Sequence, residues 1–223
     1  MPEEEHFIFW RENFVIKKTF VVGPLQCNCT VLACEKTLEA VLIDPGEEGP
    51  RLVEELKGLG VKVKYLLHTH AHFDHIGATG HLKQTMGATI CLHQKDEAIY
   101  KMLPIQGKMF GMSFDEAPPI DHFLEDEEIL SFGENRIQVL HTPGHSPGGV
   151  CFKLMQGEEF LFSGDSLFQG SIGRTDLWGG DYDLLIKSIK TRILTLDDDI
   201  SVFPGHGPST LIGRERRSNP FLT

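Results

Sequence analysis

The segment Leu66-Leu67-His68-Thr69-His70-Ala71-His72-Phe73-Asp74-His75 constrains this chain more than any other. An apolar run of Val61, Val63, Leu66 and Leu67 stops abruptly at His70, His72, Asp74 and His75. The run reads as a strand, and Ile76-Gly77-Ala78 beyond the cluster reads as a helix start. In extended geometry His70 and His72 project to one side, so both can reach one ion. Asp74 and His75 lie a turn further on, placed for a second ion and poorly placed for the first. Without a cation, four such groups packed together would desolvate one another, and the carboxylate would lack a partner. Bound metal satisfies all of them, and the ligand chemistry fits.

Three later segments repeat this grammar, each an apolar strand ending in a glycine-rich turn with one metal-capable residue. Ile137-Gln138-Val139-Leu140-His141-Thr142-Pro143-Gly144-His145 offers His145, with His141 as a near alternative. Phe160-Leu161-Phe162-Ser163-Gly164-Asp165 offers Asp165, and Val202-Phe203-Pro204-Gly205-His206 offers His206. A turn histidine alone is more often a solvated surface residue. Four similar strand ends carry weight together, because parallel placement in one sandwich brings them to one edge. The ligands divide into His70, His72 and His145 for one ion and Asp74, His75 and His206 for the other, with Asp165 between them. This set suits two divalent cations, zinc first and iron or manganese as alternatives, with a bridging water that loses a proton near neutral pH.

The rest of the chain is read for what could bring those ends together. Residues 7 to 43 alternate apolar and polar in short runs, including Phe14-Val15-Ile16 and Ala40-Val41-Leu42-Ile43, which predicts an antiparallel meander closed at Asp44-Pro45-Gly46. Helical spacing predicts helices over 50–59, 77–86, 94–102 and 183–194. Strands are expected at 89–91, 128–130, 136–140, 149–152, 160–162 and 200–203. Residues 103–121 carry Pro104, Gly107, Gly111, Pro118 and Pro119 among Met102, Met109, Phe110, Met112 and Phe114. They read either as a mobile flap facing substrate or as a long connection packed on the core. Strands, helices, strands, then helix and strand imply an α+β chain of two facing sheets with helices on their outer faces.

At 223 residues without linker, repeat or low-complexity tract, one domain over 1–223 is expected. A net charge of -11 argues against nucleic acid, and the basic cluster Arg214, Arg216 and Arg217 is short and interrupted by Glu215. No apolar run approaches a membrane span, and Met1-Pro2-Glu3-Glu4-Glu5 is unlike a signal peptide, so a cytoplasmic protein with reduced thiols is expected. Cys27 and Cys29 sit in a strand with no second pair to complete a metal site, and read as small buried hydrophobes.

Thr69-His70-Ala71-His72-Phe73-Asp74-His75, Thr142-Pro143-Gly144-His145-Ser146, Ser163-Gly164-Asp165 and Pro204-Gly205-His206-Gly207 together resemble the metallo-β-lactamase superfamily over nearly the whole chain. The resemblance implies a four-layer αβ/βα sandwich. Within it, Gly23-Pro24-Leu25-Gln26, Gly173-Arg174-Thr175-Asp176 and the ending from Glu215 to Phe221 are most similar to short, single-domain type II glyoxalases, the hydroxyacylglutathione hydrolases. Zinc β-lactamases of the commonest class carry a cysteine at the place of Asp165, so aspartate there points to the bridging-carboxylate hydrolases. The larger glyoxalases also carry a helical C-terminal domain after the segment matching His206, and the run from there to Thr223 matches the short members. The resemblance implies cleavage of a thioester such as a hydroxyacylglutathione, with a small molecule as the partner.

In that reading Asp74 binds metal and orients the attacking hydroxide, while Arg174 either contacts a substrate carboxylate or pairs with Asp176. Thr69 and His68 are expected to support the site or the core. Two rivals share the signature. One is a persulfide dioxygenase with a single iron on His70, His145 and Asp165, and the other is a dinuclear lactonase or phosphodiesterase. A purely structural zinc module is disfavoured by seven ligands of open type.

Overall fold

A computed structural model describes residues 15–157 and 159–223. The first sheet takes β1 (Val15–Val22), β2 (Cys27–Cys34) and β3 (Glu39–Ile43), then α1 (Gly49–Gly58) and β4 (Lys62–Leu67). It continues through α2 (Phe73–Ile76), α3 (Thr79–Met86), β5 (Thr89–His93), α4 (Glu97–Lys101), α5 (Leu103–Met109) and β6 (His122–Leu124). Its spatial order is β1-β2-β3-β4-β5-β6, antiparallel up to β3 and parallel from there to β6. The second sheet takes β7 (Ile129–Phe132), β8 (Asn135–His141), β9 (Val150–Leu154) and β10 (Phe160–Gly164). A hairpin of β11 (Leu167–Phe168) and β12 (Ser171–Ile172) follows, then α6 (Tyr182–Ser188), β13 (Ser201–Pro204), β14 (Thr210–Leu211) and α7 (Ile212–Ser218). The order of this sheet is β14-β13-β10-β9-β8-β7.

Side-chain alternation divides the core into three layers. On β2 and β3, Val31, Ala33, Ala40 and Leu42 face the first helical layer, where they meet Leu52, Leu56 and Leu82. Their neighbours Leu32, Val41 and Ile43 face Ile137, Val139, Phe152 and Phe162 of the other sheet. Leu140, Cys151 and Leu161 point outward again, onto Leu185, Ile189 and Ile212. Strands buried on both faces read as continuous apolar runs, which is why they stood out in the sequence. The result is the four-layer αβ/βα sandwich.

The sandwich also explains where the metal-capable turns go. β8 and β10 are both antiparallel to β9, and β13 is parallel to β10, so the C-terminal ends of β8, β10 and β13 share one edge. The end of β4 reaches that edge from the facing sheet, where Val150 N donates to Thr69 O at 2.8 Å.

Several expected boundaries are corrected. The helix expected over 77–86 is two helices, with α2 starting at Phe73 so that Asp74 and His75 are themselves helical. The chain turns between them because Ala78 N is drawn to Pro45 O at 3.0 Å and Gly77 lies against Gly46 O with no room for a Cβ. The helix expected over 94–102 opens as a 3-10 turn, Gln94–Asp96, before α4. That expected over 183–194 ends as α6 at Ser188 and continues as a π-helical turn, Ile189–Ile193. Within 103–121, α5 forms despite Pro104, because a proline in the first turn has no intrahelical N–H to lose. Met112, Phe114, Ala117 and Ile120 then pack on the first core layer, which favours a packed connection over a flap for that part. Strands β6, β11, β12 and β14 and helix α7 were not anticipated; all but α7 are two or three residues long. The meander is present from Val15, and residues 7–14 of that expectation lie outside the described residues.

If the inter-sheet layer is the main core, Phe152→Ala, at a fully buried position on β9, costs about 3–5 kcal/mol. Urea denaturation at fixed metal content measures this, and an unchanged midpoint would place the main core elsewhere.

Candidate metal centre

Each of the seven expected side chains arrives from a strand exit. His70 and His72 lie in the loop after β4, and Asp74 and His75 on the first turn of α2. His145 follows β8, Asp165 follows β10 and His206 follows β13. The turn at Asp165 requires Gly164, whose φ is +48° and where a Cβ would stand 2.4 Å from Thr69 Oγ1. Gly205 is required by space alone, since a Cβ there would come within 2.3 Å of Asp165 Oδ1.

The seven groups converge in two sets. His145 Nε2 lies 3.2 Å from His70 Nε2 and 2.9 Å from His72 Nδ1. His206 Nε2 lies 3.1 Å from His75 Nε2 and 3.2 Å from Asp74 Oδ2. Asp165 reaches both sets, with Oδ1 3.5 Å from His75 Nε2 and Oδ2 3.7 Å from His145 Nε2 and 3.8 Å from His206 Nε2. Candidate ligand atoms within 4.8 Å of one another form three groups: His70, His72 and His145; His70, His75 and Asp165; and Asp74, His75 and His206.

These residues fit divalent cations. Ligands bound at about 2.0–2.1 Å around one tetrahedral ion stand roughly 3.3 Å apart, close to the spacing within each set. Asp165 Oδ1 is buried without a hydrogen-bond partner, a cost that a cation would remove.

Protonation follows the same division. Burial, reinforced by the neighbouring imidazoles His75, His145 and His72, drives His70 well below its ordinary pKa. Burial and then His145 bring His72 down to about 3. Both rings are therefore neutral near pH 7 and keep lone pairs for a metal. Burial works against ionisation of Asp74, but His75 and His206 outweigh it and hold the carboxyl below its ordinary range. Burial likewise disfavours charge on His75, yet its anionic surroundings raise it well above its usual value. Of those neighbours, Cys27 is pushed up to about 12 by its own burial and stays a neutral thiol, so Asp165, Asp74 and Asp44 carry the effect. His206 is raised too, against burial, by its bond to Asp74 and the charge of Asp165.

The far nitrogens are fixed by Thr69, expected as a supporting residue, and by partners that the sequence reading missed. Asp44 is buried at the end of β3; its Oδ1 accepts from Thr69 N at 2.7 Å, and its Oδ2 accepts from Thr69 Oγ1 at 2.7 Å and from His75 Nδ1 at 3.1 Å. Thr69 Oγ1 in turn accepts from His70 Nδ1 at 3.0 Å. His145 Nδ1 donates to Arg174 O at 2.7 Å, and His206 Nδ1 donates to Leu25 O at 2.9 Å. Each of these four rings thus turns Nε2 toward the centre. Asp96, also buried, accepts from Ala71 N at 3.1 Å, Ser146 Oγ at 2.7 Å and Gly148 N at 2.5 Å, tying the His70–His72 loop to the His145 loop. Gln106 accepts from Phe73 N at 3.1 Å and donates to Ala71 O at 3.1 Å and Ile99 O at 2.8 Å.

Other candidates fall away from the centre. His141 stacks on His93 at 4.2 Å and donates to Pro147 O. His68 is buried beside Thr79 Oγ1 at 3.2 Å. The Arg174 guanidinium grips Asp176 with two bonds of 2.7 and 2.8 Å on the surface, and the residue lines the cavity beside the ligands. Cys27 and Cys29 are fully buried and free, as small hydrophobes are.

Most of the chain is similar to known proteins. A sequence model of the metallo-β-lactamase superfamily matches residues 22–206. Hydroxyacylglutathione hydrolase GloC of Haemophilus influenzae is 43% identical, over 90% of this chain and 95% of its own length. The crystal structure of BLEG-1 B3 metallo-β-lactamase is 43% identical with a TM-score of 0.86, covering 93% of this chain and 100% of that one. TTHA1623, crystallised in a di-iron-bound form, is 38% identical with a TM-score of 0.81, covering 92% and 100%. With the sandwich, the shared edge and the histidine and aspartate cluster all in place, the chain belongs to the metallo-β-lactamase superfamily.

Proposed function

We propose that this chain hydrolyses thioesters at a two-metal centre, with a hydroxyacylglutathione as its reference substrate. The observation that carries the reading is Asp165, whose two oxygens face both ligand sets. The likeness to GloC supports the thioester. In this reading His70, His72 and His145 would hold one cation and Asp74, His75 and His206 the other, with Asp165 within reach of both. Zinc is the metal of first choice, with iron and manganese compatible with the same donors. When bound, such ions supply Lewis acidity toward a carbonyl and activate water at neutral pH.

The protein residues keep the donors oriented. Asp44 holds the proton on His75 Nδ1 directly and that on His70 Nδ1 through Thr69, so one carboxylate sets a tautomer in each ligand set. The carbonyls of Arg174 and Leu25 do the same for His145 and His206. Asp74, held as a carboxylate, would serve both as a ligand and as an acceptor that orients water. A thiolate is a good leaving group without a dedicated acid, and among the lining residues Arg174 remains a candidate substrate contact at the rim. The five cysteines are free and buried, which fits the cytoplasmic reading. No described helix is long and apolar enough to cross a membrane.

Metal analysis joined to two assays tests the proposal. Two ions per chain with loss of a glutathione thioester are expected; one iron per chain with oxygen uptake on glutathione persulfide would overturn it. Asp165→Ala should lose metal and lower kcat/KM more than about 100-fold, beyond the roughly 10–100-fold typical of an outer partner, while His141→Ala stays within about threefold. Equal damage from His141→Ala and His145→Ala would break the ligand assignment. Asp44→Asn should weaken metal binding about 10–100-fold with an unchanged circular dichroism spectrum, and full affinity would remove its orienting role. Asp96→Asn, which sets an amide N–H against bound donors, should weaken the His70, His72 and His145 set selectively in a two-site metal titration. Equal weakening of both sites would make its effect merely structural.

A further inference from the structure

The cavity beside the ligand cluster has a volume of about 280 Å³. That is near the lower end of the roughly 300–1,000 Å³ typical of ligand sites, so one half of a thioester is enough to fill it. Outside the candidate ligands it offers few polar side chains. Gln106 spends both N–H donors and its oxygen on backbone groups. Arg174 gives Nε and one Nη N–H to Asp176 and keeps its remaining N–H groups free for the charged half of a substrate.

What remains is apolar. Phe73 is buried, and Phe110 lies against it with ring centroids 4.7 Å apart. Phe110 is 49% exposed and Leu25 43% exposed, although both are large hydrophobes that lose by facing water. Trp178 completes the wall, with its ring 6.4 Å from that of His72. Exposed apolar groups from the β1–β2 turn and the end of α5 thus meet the half-buried Trp178 of the loop before α6 around one opening, where scattered single ones would need no explanation.

We infer that this cavity is an acyl pocket selecting uncharged, apolar acyl groups, with the charged half of the substrate left in water at the mouth. The inference rests on the thioester reading above. A glutathionyl group carries two carboxylates and an ammonium, and the Phe73, Phe110, Leu25 and Trp178 surface has no partners to replace their hydration. The acyl group is the half that gains by entering. A hydroxyl on it would lose water against a mostly apolar wall, so hydroxyacyl thioesters are tolerated and not preferred.

The test uses the metal-loaded protein with S-lactoyl-, S-propanoyl-, S-butanoyl- and S-hexanoylglutathione, and calorimetric binding of non-hydrolysable S-methyl-, S-propyl- and S-hexylglutathione. Both kcat/KM and affinity should rise about two- to fourfold per methylene, with lactoyl no better than propanoyl. Phe110→Ala, at a half-exposed position, should reduce the rise to less than about twofold per methylene. A flat or falling series, a tenfold preference for lactoyl, or an unchanged slope in Phe110→Ala would overturn the acyl pocket while leaving thioester hydrolysis standing. If no thioester is cleaved but the S-alkyl series still binds with the expected slope, the thioester reading fails and the apolar pocket stands.

Discussion

Everything at this edge depends on one electrostatic constraint: five imidazoles and two carboxylates are held with their lone pairs aimed at common points in a largely buried place. Such an arrangement is costly without a cation, because burial removes water from each group and leaves Asp165 Oδ1 with no hydrogen. The fold tolerates it because the ligands hang from the ends of β4, β8, β10 and β13, where the backbone is tied into two sheets before the chain turns. The sheets supply rigidity, and the loops beyond them supply chemistry.

The two ligand sets are not equivalent. The set of His70, His72 and His145 keeps its first two rings neutral through burial and crowding, whereas His75 and His206 sit among carboxylates that favour a proton. Asp44 spans this difference. Through Thr69 it serves a ring in the neutral set, and directly it serves one in the acidic set. Asp96 works by another route, since it fixes backbone N–H groups in two ligand-bearing loops and touches no ligand itself. Orientation of the donors is thus divided between groups that set tautomers and groups that hold loops.

The ligands were legible in the sequence because each stands at a change of grammar, where an apolar strand meets a turn that carries a histidine or an aspartate. The sheet cores were legible for a related reason, as strands buried on both faces leave unbroken apolar runs. Asp44 was visible only as part of a turn, though a carboxylate closing a fully apolar strand is a signal that could have been read. Asp96 and Gln106 left no local trace, because the groups they satisfy lie 25 to 52 and 7 to 35 residues away. The 103–121 stretch misled because Pro104 and Gly107 suggest breaks, whereas one sits in a first helical turn and the other lets Phe114 approach closely. Helix boundaries near the site shifted because tertiary contacts such as Ala78 N to Pro45 O overrode local pattern.

The account stands or falls on where cations settle. Anomalous X-ray scattering from crystals of the zinc-loaded protein measures this directly. The account predicts two peaks a few ångströms apart, one among His70, His72 and His145, the other among Asp74, His75 and His206, with Asp165 in reach of both. A single peak, or zinc bound away from these residues, would contradict it.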